Sequence, residues 1–223
     1  MRPTCRTLRV LPGIDFGQIF IGLLVLLFSL TIHEMSHAWT ADQLGDPTAR
    51  LLGRVSINPV VHVDPIGTVL FPLLAAFSGV PLIGWAKPVP VRVSNLRHHR
   101  RDYMLVAAAG PASNLVLAGL ASMALRTMPV SPNHIGGLDV SAPLAILAMR
   151  AIEINVLLAV FNMIPIPPLD GGSVLAGVLP RRFAVLFDAL QPYGFLLIYA
   201  LMLAGVLAML VGPPYYLLLS WLR

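Results

Sequence analysis

His33, Glu34 and His37 stand in the pattern H-E-x-x-H, within the stretch SLTIHEMSHAW at 29–39. On an α-helix, residues four apart share a face, so His33 and His37 can hold one metal ion between them. Glu34, one place on from the first histidine, can reach a water on that metal without binding the metal itself. Two imidazoles and a water give zinc most of a catalytic coordination shell, and a carboxylate from elsewhere completes it. Zinc brings the pKa of such a water to about 7, and a neighbouring glutamate can carry its proton to a leaving amine. The setting is unusual, because the helix enters as IFIGLLVLLF at 19–28, which is bilayer material. H-E-x-x-H arises often by chance, but ionisable groups inside an apolar span are costly and mark function.

The third ligand must come from one of the 10 acidic residues, and most of them sit in polar loops. Glu153 lies within an apolar run and reads as a polar contact inside the bundle. Asp170 is framed differently, in NMIPIPPLDGG at 162–172. Pro165, Pro167 and Pro168 stop the helix and free backbone groups, which is tolerated at membrane depth only in a protein-buried or wet site. A carboxylate offered by such a loop completes a set of two histidines and one carboxylate, so Asp170 is the expected third ligand. The competing reading is a helix N-cap after a Pro-rich turn.

The rest of the chain must place these groups in a membrane. Of the 223 residues, 57% are hydrophobic and 11% charged, against roughly a quarter charged in a soluble domain. The mean hydropathy is +0.81. Backbone must then be satisfied by helices or by protein-buried irregular segments. The net charge of +5 comes from arginines in loops between apolar runs, which fits topology and lipid headgroups rather than nucleic acid. Cys5 is the lone cysteine, which rules out an intrachain disulfide and a Cys-based zinc site.

The pattern predicts an all-α polytopic membrane protein in one integral-membrane domain, 1–223. Its main spans fall at 14–41, 103–126, 143–163 and 191–211. Arg2, Arg6 and Arg9 ahead of the first span resemble the start of a signal peptide, but no small-residue cleavage site follows. Gly67, Pro72, Gly79, Pro81 and Gly84 break the apolar run 65–85. KPVPVRV after it reads as an extended edge strand, so 65–93 is expected to be a re-entrant or hairpin segment plus that strand. NLRHHRRD at 95–102 reads as a basic loop, with His98 and His99 on a solvated face, and His62 reads as a loop histidine. The 103–126 span carries AAAGPASN, whose small residues allow close helix contact, with Asn114 as an interhelical hydrogen-bonding group. The LDGG segment occupies 164–182, and 213–221 is a short apolar tail. Trp39, Trp85 and Trp221 sit where interfacial anchors belong.

Topology follows from the shared metal. HEMSH and LDGG each lie towards the C-terminal end of a span, so those ends must face one side. With the 103–126 span between them the parity works only if 65–85 does not cross. The loops on that side hold Arg50, Arg54, Lys87, Arg92, Arg97, Arg100, Arg101, Arg181 and Arg182, and the opposite turn only Arg126. By the positive-inside rule the motif side is cytoplasmic, with Arg2, Arg6 and Arg9 against the trend.

The chain resembles the site-2 protease family of intramembrane zinc metalloproteases, in a compact prokaryotic form. HEMSH and NMIPIPPLDGG match the family's paired motifs in order and membrane context. GWAKPVPV at 84–91 and GPASN at 110–114 resemble segments between them, so the likeness covers about 30–182. The resemblance implies one zinc per chain on His33, His37 and Asp170, Glu34 as general base, and Asn162 stabilising the reacting carbonyl. It implies regulated cleavage of a transmembrane helix, in a single-span regulatory protein of a prokaryotic cell membrane, often after a first cut elsewhere. No PDZ-like or CBS-like domain, and no apolar span ahead of the HEMSH helix, is expected. A helical substrate must unwind before attack, and the KPVPVRV edge can hold it by strand addition, with Val91 and Val93 on that edge. Two other classes remain: a membrane metal-ion transporter, which needs no glutamate at the second motif position, and a non-catalytic zinc-binding scaffold.

Overall fold

The computed structural model describes residues 16–79, 84–128, 134–135, 138–139, 141–180 and 189–223. Arg2, Arg6, Arg9, Arg181, Arg182 and the expected break at 80–83 lie outside these. The first helix, α1 (Phe16–Gln43), carries both histidines. Val25, Ser29, His33, His37 and Ala41, spaced by four, form its buried stripe. Phe20, Leu24 and Phe28 lie on the other side and stay exposed, as a lipid-facing flank must.

After α1 come a short α2 (Thr48–Leu51), a π-helical turn Pro65–Leu70 and α3 (Phe71–Ser78). Then follow α4 (His99–Thr127), a minimal antiparallel pair of His134–Ile135 with Leu138–Asp139, and α5 (Ser141–Asn162). The chain continues through α6 (Asp170–Val178), α7 (Gly194–Leu203) and α8 (Val206–Leu222). Among the described residues α1, α4 and α5 are each long and apolar enough to cross a membrane, and α7 with α8 qualify only as a pair. The architecture is the all-α polytopic membrane protein expected.

Two boundaries differ from expectation. The span read as 103–126 begins at His99, because the Asp102 carboxylate accepts the His98 backbone N–H at 2.7 Å and starts the helix inside the basic loop. The span read as 191–211 is broken: Gly205 takes φ +73° and the chain bends by 81° there. The residues read as a separate tail instead belong to α8, which runs through Pro213 and Pro214 to Leu222. At its start, Leu207 packs on Ile164 and Leu169 beside the Pro-rich loop. At its end, the Ser122 hydroxyl and Arg126 donate to the Leu222 and Trp221 carbonyls at the far end of α4. Thus α8 runs from the metal face to the opposite face, and α7 lies across that direction.

The described ends of the 65–85 segment, 65–79 and 84–85, lie against each other. Its helical part, 65–78, is about 21 Å long, short of the roughly 30 Å of hydrocarbon. Gly79 ends it at φ +69°. The Trp85 N–H donates to the Gly67 carbonyl at 3.2 Å, and the Thr68 hydroxyl donates to the Trp85 carbonyl at 2.8 Å. The Trp85 ring lies so close over Gly67 that a Cβ there would come within 2.6 Å of its Cγ. A segment whose two ends touch has not crossed, as the parity of the motifs requires.

Glu153 is not a ligand. It pairs with Arg150 at 2.9 Å and with Arg223, and Arg150 also donates to Gln18 at 2.7 Å near the start of α1. The face opposite the motifs thus holds Arg150 and Arg223 besides Arg126.

This topology predicts the outcome of cysteine labelling in a Cys5→Ser background. In sealed vesicles, Thr127→Cys and Trp221→Cys react with an impermeant maleimide from one side, and Ser94→Cys from the other. Labelling of Trp221→Cys and Ser94→Cys from the same side would show that α8 does not cross.

Candidate active site

One turn of α1 sets His33 and His37 side by side, with ring centroids 4.7 Å apart in an edge-on arrangement. Both are buried, at 4% and 8% exposure. Burial of two imidazoles in a membrane helix needs polar partners, and α4 and α5 bring them. His33 Nδ1 meets the Asn114 Oδ1 at 2.6 Å, and His37 Nδ1 meets the Val106 carbonyl at 2.7 Å. A carbonyl only accepts, so Nδ1 of His37 carries a proton, which in the neutral ring leaves its Nε2 a lone pair. Asn114 is oriented the same way for His33, because its Nδ2 donates to Asn155 Oδ1 at 2.9 Å and to the Ser29 carbonyl at 3.4 Å. Asn155 is aligned in turn by donating to the Ala151 carbonyl at 2.8 Å.

These bonds aim both Nε2 atoms at the same point, 3.1 Å from each other. The Pro-rich loop supplies the third atom. Asp170 Oδ2 lies 3.2 Å from His33 Nε2 and 3.4 Å from His37 Nε2. It is buried and makes no hydrogen bond among the described residues. Leu169, not Asp170, is the N-cap of α6 and has no side-chain cap bond, so the capping explanation of Asp170 fails. Two glycines let the loop fold this tightly: a Cβ on Gly172 would lie 2.8 Å from the Pro167 nitrogen, and one on Gly171 within 2.5 Å of the Ile164 carbonyl.

Three acceptor atoms turned towards one another repel unless a cation sits between them. Tetrahedral zinc with bonds of roughly 2.0–2.1 Å sets its ligand atoms about 3.3 Å apart. The observed 3.1, 3.2 and 3.4 Å match that spacing, so His33, His37 and Asp170 can hold such an ion.

The triad opens into a cavity of about 880 Å³, which Glu34 and Asn162 also line. Glu34 is half-buried beside the histidines. Asn162 donates its Nδ2 to the Leu158 carbonyl one turn back on α5, at 2.9 Å, so its amide faces its own helix here. One wall is the 85–91 segment, irregular here rather than the strand expected, through Trp85, Ala86, Pro88, Val89 and Val91. Val93 is not part of that edge, contrary to expectation: it opens a 3-10 turn, Val93–Asn95, and of the three valines Val89 and Val91 line the cavity. His62 stands outside the triad, buried, with Nε2 on the Ser56 carbonyl at 2.9 Å.

The sequence profile of peptidase family M50 matches residues 21–205. The chain belongs to this family. It is the site-2 protease family to which the paired motifs pointed. The chain is 33% identical over 195 residues to "Putative zinc metalloprotease YwhC" of Bacillus subtilis, covering 86% of this chain and 84% of that one. It is 31% identical over 195 residues to "Putative zinc metalloprotease Rip2" of Mycolicibacterium smegmatis, covering 84% and 70%. With Rip2 of Mycobacterium tuberculosis the identity is 35% over 161 residues, covering 72% and 56%. No solved structure matches the chain.

The small residues of GPASN and the interhelical role of Asn114 were expected, but not that α4 packs directly on the two histidines. Gly110 leaves the space the histidines occupy, since a Cβ there would lie within 2.6 Å of Cε1 of both. The part played by Asn155 was missed as well. Its signal was present, as a second amide in an apolar run two places after Glu153.

Gly110→Ala is therefore expected to abolish zinc retention, measured as metal per purified chain. Asn155→Ala touches no ligand, yet is expected to weaken zinc binding about 10-fold, the lower end for residues that orient ligands. Unchanged affinity in a chelator titration would remove the orienting role of the Asn155–Asn114 pair.

Proposed function

We propose that the chain is an intramembrane zinc endopeptidase that cuts a peptide bond in or near a transmembrane segment of another membrane protein. The observation that carries this reading is the set of converging acceptors on His33, His37 and Asp170, opening beside Glu34 into a cavity that the 85–91 segment walls on one side. Those three side chains would hold one zinc per chain. When bound, it supplies the Lewis acidity that makes a water reactive near neutral pH. The Glu34 carboxylate would accept a proton from the attacking water and hand it to the leaving amine. Asn162 supports a developing oxyanion by turning its amide from the Leu158 carbonyl into the cavity. Val89 and Val91 pair with an unwound stretch of substrate as an added strand.

The substrate class is a single-span regulatory protein in a prokaryotic cell membrane. The metal face is cytoplasmic. The support is the positive-inside rule: Arg50, Lys87, Arg92, Arg97, Arg100 and Arg101 lie on that face, against Arg126, Arg150 and Arg223 opposite. The half-buried Glu34 beside the triad favours hydrolysis over metal transport, which needs no base there.

Metal content and cleavage of a single-span test protein separate these readings. Wild type and Glu34→Gln are expected to hold about one zinc per chain, as one tetrahedral site requires, and His33→Ala and Asp170→Ala to lose it. Cleavage by Glu34→Gln should fall by about 10²–10⁴-fold, the usual worth of a general base. Zinc kept in Asp170→Ala would show that another residue completes the site. Cleavage unchanged in Glu34→Gln would remove its role as base. Val89→Pro, which deletes one backbone donor, should reduce cleavage with zinc still bound, and full cleavage would remove strand addition.

A further inference from the structure

Among the described residues no strand lies beside the cavity wall at 84–92, so other contacts must hold it in place. Two buried ionisable side chains do this, one near each end. Arg54 is 6% exposed, and no carboxylate lies within ion-pair distance of it among the described residues. Its guanidinium donates instead to three carbonyls: Val61, Lys87 at 2.6 Å and Pro88 at 2.9 Å. The Lys87 N–H donates to the His62 carbonyl at 2.9 Å, so the near end of the wall is tied to the 59–62 turn from behind. At the far end, Asp46 is fully buried, and its Oδ2 accepts the Arg92 N–H at 2.6 Å. Its Oδ1 accepts from Thr48 and from Asn95 Nδ2. Burial opposes its charge, but these bonds outweigh that and hold its pKa below the ordinary carboxylate value.

Between these ends the wall is left unpaired in a regular way. Pro88 and Pro90 have no N–H to give. The N–H and C=O groups of Val89 and Val91 make no hydrogen bond among the described residues. Residues two apart in an extended chain present their backbone groups to the same edge, and both residues line the cavity. A buried guanidinium without a counter-ion is costly, and an apolar residue would fill the space more cheaply. What the guanidinium adds is direction: its planar fork turns the Lys87 and Pro88 carbonyls away from the cavity.

We propose that Arg54 and Asp46 are positioning residues for substrate, two clamps that fix the two ends of 87–92 so that Val89 and Val91 offer a pairing edge beside Glu34. The proposal rests on the strand-addition part of the reading above.

The test uses the full chain in detergent, zinc-loaded and carrying Glu34→Gln so that the probe is not cut. Two fluorescent peptides of alternating valine and threonine serve as probes, one plain and one N-methylated at alternate central amides. Binding is read by anisotropy. The plain peptide is expected to bind about tenfold more tightly than the methylated one, as loss of one or two hydrogen bonds implies. Adding Arg54→Ala or Asp46→Ala should remove that difference by weakening the plain peptide alone, with zinc per chain unchanged. Arg54→Lys should not restore the difference, because one ammonium cannot span three carbonyls. Where an alanine variant fails to fold, Arg54→Lys and Asp46→Asn carry the same comparison. Equal weakening of both peptides, or a difference that survives in the folded variants, would overturn the clamp. Equal binding of the two peptides before any clamp change, or none by either, would overturn strand pairing and the clamp with it. The protease reading would stand apart from that result, on the zinc and cleavage measurements.

Discussion

The site depends on a repulsion that the fold enforces. Two imidazole lone pairs and a carboxylate oxygen are held within 3.4 Å of one another in a buried place. None of the three can turn away cheaply. His37 is held by the Val106 carbonyl, His33 by the Asn114 amide, and Asp170 by a loop with little room to move. A cation between the three relieves that repulsion, and their spacing is that of tetrahedral zinc. The positive charge, the buried carboxylate and the membrane depth thus belong to one electrostatic solution.

The same demand for proximity explains where side chains are missing. Gly110 lets α4 lie against the histidines. Gly171 and Gly172 let the loop double back under the prolines. A Cβ on Gly177 would lie 2.6 Å from the Met104 Cβ, so α6 too is drawn close to α4. Arg100 reinforces that junction by donating twice to the Ala176 carbonyl. In a membrane, where apolar contact between helices gains little over contact with lipid, such close approach and interhelical hydrogen bonds do the holding.

Much of this was legible in the residues, for identifiable reasons. H-E-x-x-H is a local pattern on one helix, and the Pro-rich frame of Asp170 is local as well, so both could be found by spacing. A metal shared between them then constrains parity and predicts that 65–85 turns back; in the structure its two ends meet where Trp85 covers Gly67. What could not be read were relations between distant helices. Nothing near Asn114 or Asn155 says that the two amides, 41 residues apart, meet in one hydrogen bond. The break at Gly205 was hidden because a glycine in an apolar run can be carried by a helix or can end it. Pro213 and Pro214 misled in the opposite sense, since the helix runs through both. The edge was placed two residues too far along because alternation continues through Val93 in sequence, while the backbone has already turned.

The asparagine chain has a mechanical consequence. Ser29 on α1, Asn114 on α4 and Asn155 on α5 are joined by hydrogen bonds that end on a ligand, so these three helices form one stiff frame. A slide of one helix turn, about 5.4 Å, would break the chain and swing His33 out of line. The transmembrane helix proposed as substrate would nevertheless have to enter from the side. The compliance this requires has to sit in the rest of the wall, in the 65–85 hairpin and the transverse α7. Those two meet at the aromatic contact of Trp85 with Phe195, with ring centroids 6.0 Å apart. The molecule thus divides into a chassis that guards bond angles at the metal and a jacket that can yield without disturbing them.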